Sequence, residues 1–268
     1  MPTPSGRFLG RLRDFTDTRD HMYGLERIVT PLADMGPYVD LRVDLPPCFD
    51  QGQLNACGPN AADGLLSYYY EENGDGFSRL QIYYATRQLE DTQRNDDGVR
   101  LRDLMKALQN PGAVSENIWP YDPAQVLQCP PSFPVSDRRY TIKNYQRLTS
   151  TSEMIHCLWE GNPFIIGFDV YESFDSDQLA RTGVMVYPTP DEKLLGGHAV
   201  LAVGYDLNFK YNRDLQHSGI DFAQVGNAAL LLRNSWGTAW GQDGHFWMPL
   251  DYPADSADCW TAIMENPS

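Results

Sequence analysis

Residues Asp50–Tyr70, DQGQLNACGPNAADGLLSYYY, change character at their midpoint, from a glycine-bearing loop to the apolar spacing of a buried helix. Gly58 and Pro59 suit the start of that helix, because a first-turn proline has no amide hydrogen to waste and its φ is already helical. Cys57 therefore sits at or just before a helix N-terminus, where unpaired amides and the positive end of the dipole favour thiolate over thiol. A neighbouring imidazolium added to that position brings a cysteine pKa to roughly 3.5–7.5. The plain alternative is a small buried hydrophobe, which is what most free cysteines are. This stretch alone leaves both readings open.

Two segments far downstream bear on the choice. Leu195–Asp206 reads LGGHAVLAVGYD and Leu230–Gly244 reads LLLRNSWGTAWGQDG. Taken singly, a histidine before an apolar strand is usually a satisfied core residue, NSWG is a turn with a buried tryptophan, and Gln51 is turn chemistry. Taken together, Cys57, His198 and Asn234 stand in the order nucleophile, base, orienter, with His198 141 residues after Cys57. With Gln51 six residues before the cysteine and Trp236 two after the asparagine, the chain resembles the papain-like cysteine peptidases over roughly residues 40–260. Its size and short N-terminal region fit a bacterial member.

The resemblance implies a two-lobed α+β fold, with a helical N-terminal lobe over about 41–135, an antiparallel, β-barrel-like C-terminal lobe over about 136–268, and the active-site cleft between them. It implies Cys57 as nucleophile, His198 as general acid/base, Asn234 as the residue orienting the imidazole, and Gln51 as an oxyanion donor. Trp236 would shield the Asn–His hydrogen bond. Gly98 would hold substrate backbone, and Val99, Gly196 and Gly197 would help line the cleft on its acyl side. No cofactor or metal is expected. The cysteines are far apart and never occur as CxxC. At three positions the chain departs from the family: Leu54 replaces a disulfide cysteine, Gly58 a tryptophan, and Gly197 an aspartate.

Composition bounds the function independently. An apolar content of 42% over 268 residues is enough for a packed interior. A net charge of −15 argues against nucleic-acid binding, which needs clustered Lys and Arg. No run approaches a membrane span, and Phe8 and Leu9 lie among Arg7, Arg11 and Arg13, too polar for a signal core. The chain is expected to act as a monomer, in the cytoplasm or exported by a non-classical route. Five cysteines cannot all pair, and with Leu54 where a bridge would start the thiols are read as reduced.

In chain order, residues 1–40 read as a leader rather than part of the compact domain at 41–268. That leader is either a loosely held tail or a short inhibitory segment over the cleft, the latter implied by the family's pro-regions. Val39–Leu45 alternates as a strand. Helices follow Cys57, start after Ser78 as a cap, and run over Leu101–Leu108, with a proline-rich connection near 110–139. Beyond it lie alternation over Tyr140–Leu148, a helix over Ser152–Trp159 and a buried strand over Pro163–Val170. The His and Asn segments and GHFWMPLDY supply further strands, with a surface loop at 206–226. Helices first and strands second is an α+β pattern. The activity expected is peptide-bond hydrolysis inside protein or peptide substrates through a thioester on Cys57. The alternatives are a silent peptide-binding module of the same fold and a thiol acyltransferase.

Overall fold

A computed structural model describes every residue except 1, 25–29, 32–33, 71–75, 133–139, 212–219, 221–223, 253–256 and 265–268. The helix that begins at Cys57 (α1, Cys57–Tyr69) has every residue from Cys57 to Leu66 buried. Such a helix lies inside the molecule rather than on it. A Cβ added at Gly64 would sit 3.1 Å from Leu201 Cδ2 and 3.2 Å from Arg233 Nε, so the glycine lets the helix press onto the strands below. Helix α2 (Arg79–Leu89) starts where expected, with the Ser78 side chain accepting from the Gln81 amide. Leu89, its last residue, is exposed. Helix α3 (Leu101–Gln109) completes the first half, and α4 (Thr151–Trp159) and α5 (Asp177–Thr182) belong to the second.

The strands are β1 (Arg11–Leu12), β2 (Tyr38–Asp40), β3 (Val99–Arg100), β4 (Asn144–Leu148), β5 (Phe164–Tyr171), β6 (Leu194–Asp206), β7 (Ala229–Arg233), β8 (His245–Pro249) and β9 (Asp258–Ile263). Seven of them form one antiparallel sheet in the order β4-β9-β5-β6-β7-β8, with β2 pairing onto β6. Among the described residues no pairing joins its two ends. Both faces are buried, and the period-2 pattern sorts side chains between them. Ala199, Leu201, Val203 and Leu231 join α1 and α3 in one cluster, whereas Val200, Ala202, Leu230 and Leu232 join α4 in the other. No helix among the described residues is long and apolar enough to cross a membrane.

Two strand expectations need correction. The strand read over Val39–Leu45 ends at Asp40, because its carboxylate accepts from the Arg42 amide and pairs with the Arg42 guanidinium. The chain turns there into a 3₁₀ segment, Arg42–Asp44, and Val43 is left exposed. Conversely, β9 was not anticipated, although it lies in the sheet between β4 and β5. None of the five cysteines is in a disulfide. In the surface loop read at 206–226, residues 212–219 and 221–223 fall outside the described residues, and Phe209, Ile220 and Val225 are buried in the core rather than at the surface.

Candidate active site and its N-terminal cover

Three separate segments build the site. Cys57 is the first residue of α1, His198 lies in β6, and Asn234 follows the last residue of β7. The β6–β7 pairing, with Leu201 opposite Arg233, sets the last two within reach. His198 Nε2 lies 2.8 Å from Asn234 Oδ1, which also accepts from the Ser235 amide at 2.8 Å. An oxygen already accepting one N–H acts as acceptor for the ring too, so Nε2 carries the proton and Nδ1 is the basic nitrogen. His198 Nδ1 is buried without a hydrogen-bond partner. The Trp236 ring stacks on the imidazole, centroids 5.0 Å apart and planes at 30°. The backbone amides of Ala199, the residue after His198, and of Gly58 favour the Cys57 thiolate, against the burial that opposes it.

Gln51 is pinned to the same framework. Its amide donates to Ser235 O at 2.8 Å and its Oε1 accepts from the Ser235 hydroxyl. Nε2 donates to Leu54 O at 2.8 Å and to Phe8 O at 3.1 Å. The last partner belongs to the N-terminal segment, which runs through the site. Val99 N donates to Gly10 O at 2.8 Å and Gly10 N donates to Gly197 O at 3.1 Å, while β1 pairs in parallel with β3. The fit is tight enough to need glycine on both sides. A Cβ at Gly10 would lie 2.0 Å from Asn55 O, one at Gly98 2.1 Å from Gly10 O, and one at Gly197 2.4 Å from Arg11 O. Gly98 also has φ +88°, a region that favours glycine. Leu9 packs against Gly196, the Arg7 guanidinium lies 5.3 Å from the Trp236 ring centroid, and Thr3 and Ser5 bond Asp175.

Farther along, the segment is held by ions. Asp20 accepts from Arg102 at 2.7 Å and from Arg147 at 3.1 Å. The Asp14 carboxylate accepts from Trp260 Nε1 at 2.8 Å, and burial together with the nearby Asp258 charge pushes its pKa up. Tyr23 OH bonds Glu160 and sits 2.7 Å from Nδ1 of His156, which is buried on α4.

The cover changes the electrostatics read from sequence. Cys57 and His198 are both fully enclosed. Burial pushes the thiol up to about 12 and the imidazole down to about 4, the Asn234 hydrogen bond opposing the latter. The thiolate expected at the helix N-terminus is thus absent while the segment is in place. A dipole contributes typically 0.3–1 kcal/mol, against several kcal/mol for stripping water from an ion. A covered Cys57 is a neutral thiol near a neutral imidazole.

Every residue named from the sequence is therefore in or beside this site: Cys57, His198, Asn234, Gln51 and Trp236 at its centre, and Gly98, Val99, Gly196 and Gly197 against the N-terminal segment. At the departures, Gly58 has no room for an indole, since an added Cβ would already meet Val99 at 3.0 Å, and a side chain at Gly197 would collide with Arg11. Ser235, which ties the Gln51 loop to the Asn234 segment, went unnoticed, although the NSW run contains it. So did Asp169 and Asp258, whose signal was a lone carboxylate on an otherwise apolar strand. Among the described residues no group of three or more His, Cys, Asp or Glu could hold a metal ion.

A buried thiol, a tautomer-locked imidazole and a side-chain amide beside the helix N-terminus define a cysteine peptidase of two-lobed α+β architecture. The model of the papain family cysteine proteases matches residues 47–261, and the chain belongs to that family. It is 32% identical over 232 residues to an uncharacterized peptidase C1-like protein of Acanthamoeba polyphaga mimivirus, covering 79% of this chain and 68% of that one. It is 28% identical to cysteine proteinase 3 of Entamoeba histolytica, covering 80% of this chain and 62% of that one. Among solved structures it is similar to xylellain, a cysteine protease from Xylella fastidiosa, with TM-score 0.78, 30% identity and 96% of each chain covered. A procathepsin B from Trypanosoma congolense shares the fold at TM-score 0.70 and 16% identity, covering 97% of this chain and 87% of that one.

Proposed function

We propose that Cys57 and His198 are the nucleophile and general acid/base of a peptide hydrolase that the N-terminal segment ahead of β2 holds in check. The observation that carries this reading is the His198 ring, clamped at Nε2 by Asn234 and roofed by Trp236, with Nδ1 left unpaired next to Ala199, whose backbone amide favours the Cys57 thiolate. Once the cover leaves and water returns, the burial opposing both charges is relieved. Nδ1 then takes the thiol proton and the helix N-terminus supports the thiolate. The thiolate attacks the substrate carbonyl, and the developing oxyanion takes the donor of Gln51 Nε2 that Phe8 O now occupies, with the backbone amide of Cys57. His198 returns the proton to the leaving amine, and water hydrolyses the thioester.

The same geometry supports autoinhibition without self-cleavage. The acyl side of the cleft lies at Gly98 and Gly196, and the opposite arm, at Trp236, takes the leaving peptide. The N-terminal segment enters past Trp236 at Arg7 and leaves past Val99 at Arg11–Leu12. It thus runs N-to-C from the leaving side to the acyl side, opposite to a peptide positioned for attack, and it fills both arms, as an endopeptidase cleft requires. The test is full-length protein cut after folding at a recognition site inserted between Thr30 and Pro31, then freed of the N-terminal peptide. Hydrolysis of an internally quenched peptide should rise after the cut. Unchanged rates would overturn autoinhibition. Product transferred to an added amine instead of water would reassign the enzyme to acyl transfer, and peptide binding without turnover would make it a binding module.

A further inference from the structure

Arg11 is buried where the N-terminal segment crosses the acyl side of the cleft, its side chain 1% exposed. Its NH1 donates to Asp169 Oδ1 at 2.8 Å, and its Nε donates to Asp258 Oδ2 at 3.1 Å, with NH2 on the same oxygen. The stem lies between glycines. A Cβ at Gly167 would be 2.9 Å from Arg11 Cγ and 3.0 Å from Nε, and one at Gly197 would be 2.9 Å from Cδ. The sheet register fixes these parts relative to one another, with Gly167 opposite Asp258, and Asp169 opposite Gly197. The slot is therefore built into three adjacent strands, β9, β5 and β6, and remains when the segment leaves.

The two carboxylates that line it, Asp169 and Asp258, favour a cation. Arg147 NH2 holds Asp258 Oδ1 at 3.1 Å, which leaves Oδ2 turned to Arg11. Asp14, whose backbone amide also donates to Asp258 Oδ2, departs with the segment, and so does Asp20, which pairs with Arg102 and Arg147. Two carboxylates then face the slot against one directly bonded resident guanidinium, Arg147. A planar guanidinium can meet two separated carboxylates at once, which a lysine ammonium on its flexible stem matches less well.

Resting on the peptidase reading above, we infer that this slot is a specificity pocket of the uncovered enzyme. It takes an arginine side chain from the acyl side of a peptide substrate, and Asp169 and Asp258 are the residues that select it. Arg11 is the segment's own occupant of that pocket. The pocket recognises a side chain rather than a backbone direction, so a reversed segment and a forward substrate can both use it.

The test compares peptide substrates differing only at the second residue before the cut, or in a parallel set at the third, as arginine, citrulline or leucine. Citrulline keeps the shape and removes the charge. On the protein cut after folding and freed of its N-terminal peptide in high salt, arginine should exceed citrulline in kcat/KM by roughly tenfold or more at one position. Asp258→Asn and Asp169→Asn should each bring that ratio toward one. Asp169, the more exposed of the two, provides the readout if Asp258→Asn does not fold. Equal arginine and citrulline rates at both positions, with turnover intact, would overturn the pocket and leave the peptidase. No turnover of any peptide, together with no epoxide label on Cys57, would overturn both.

Discussion

The molecule sets two buried cysteines near strand histidines, Cys48 against His245 itself and Cys57 by way of Ala199 next to His198, and only one is equipped for chemistry. Cys48 Sγ lies 3.8 Å from both Nδ1 and Nε2 of His245. A sulfur equidistant from both nitrogens faces neither lone pair, and Nδ1 already lies 3.0 Å from Asp243 O. Burial pushes the Cys48 thiol up, and burial with the Arg233 charge pushes His245 down to about 4. Among the described residues no side-chain amide bonds the His245 ring, and Cys48 starts no helix. At Cys57 and His198 the local pKa directions are the same, so the difference is not acidity in the resting state. It lies in the surroundings: a helix N-terminus under the sulfur, Asn234 fixing the tautomer, Gln51 donating toward the reaction side, and a cover that can leave. Proximity of a thiol and an imidazole makes a contact, and the orienting groups make a reaction centre.

Substitution breaks this comparison most directly. Cys57→Ala should lower peptide hydrolysis by about a thousandfold or more. Cys48→Ala should leave the folded protein's rate within about twofold, since the sites share no partner; both are read as kcat/KM on the cut protein. A large loss in Cys48→Ala would mean that the second pair takes part. The pH dependence of alkylation sharpens the contrast. A thiol raised to about 12 is neutral at pH 7, and its thiolate fraction grows with pH. Iodoacetamide labelling of Cys57 in the full chain should therefore climb by about tenfold per unit from pH 7 to 10 without a plateau. After the cut, the relieved ion pair should label rapidly at neutral pH.

Gln51→Ala should cost about 10²-fold in kcat with little change in KM, as loss of an oxyanion donor does. An unchanged kcat would assign Gln51 to loop structure alone, through Ser235. A more modest gain is expected from loosening the cover. Gly10→Ala would drive a methyl into Asn55 O, and an overpacking cost of about 1–3 kcal/mol raises full-chain activity by roughly tenfold or more if it falls wholly on the docked segment. An unaltered rate would mean that the close approach at Gly10 does not hold the segment down.

The parts legible in the sequence were those whose signal is local. Pro59 after Gly58, Ser78 three residues before the Gln81 amide it caps, and the alternation of Ala199 to Val203 each fix an element through its own neighbours. The Cys57, His198, Asn234 and Gln51 set was legible because its residue types and order are restricted by chemistry. What escaped depends on distant partners. Strand β9 is short, and its place between β4 and β5 follows from pairing with residues about a hundred positions away. The strand at Val39 stops because Asp40 finds Arg42, a side-chain choice that alternation does not encode. The path of residues 3–23 rests on backbone bonds to Gly197 and Val99 and on ion pairs with Arg102 and Arg147. In the sequence those residues are only scattered charge. The thiolate expectation failed for the same reason, since the helix N-terminus is visible in the sequence and the burial that outweighs it is not.

The measurement that tests the central claim most directly is mass-spectrometric mapping of an epoxide thiol inhibitor on the full chain, before and after the cut at the inserted site. The account predicts label on Cys57 alone, slow on the intact chain and fast once the N-terminal peptide is gone. Label on Cys48, or none on Cys57 after the cut, would contradict it.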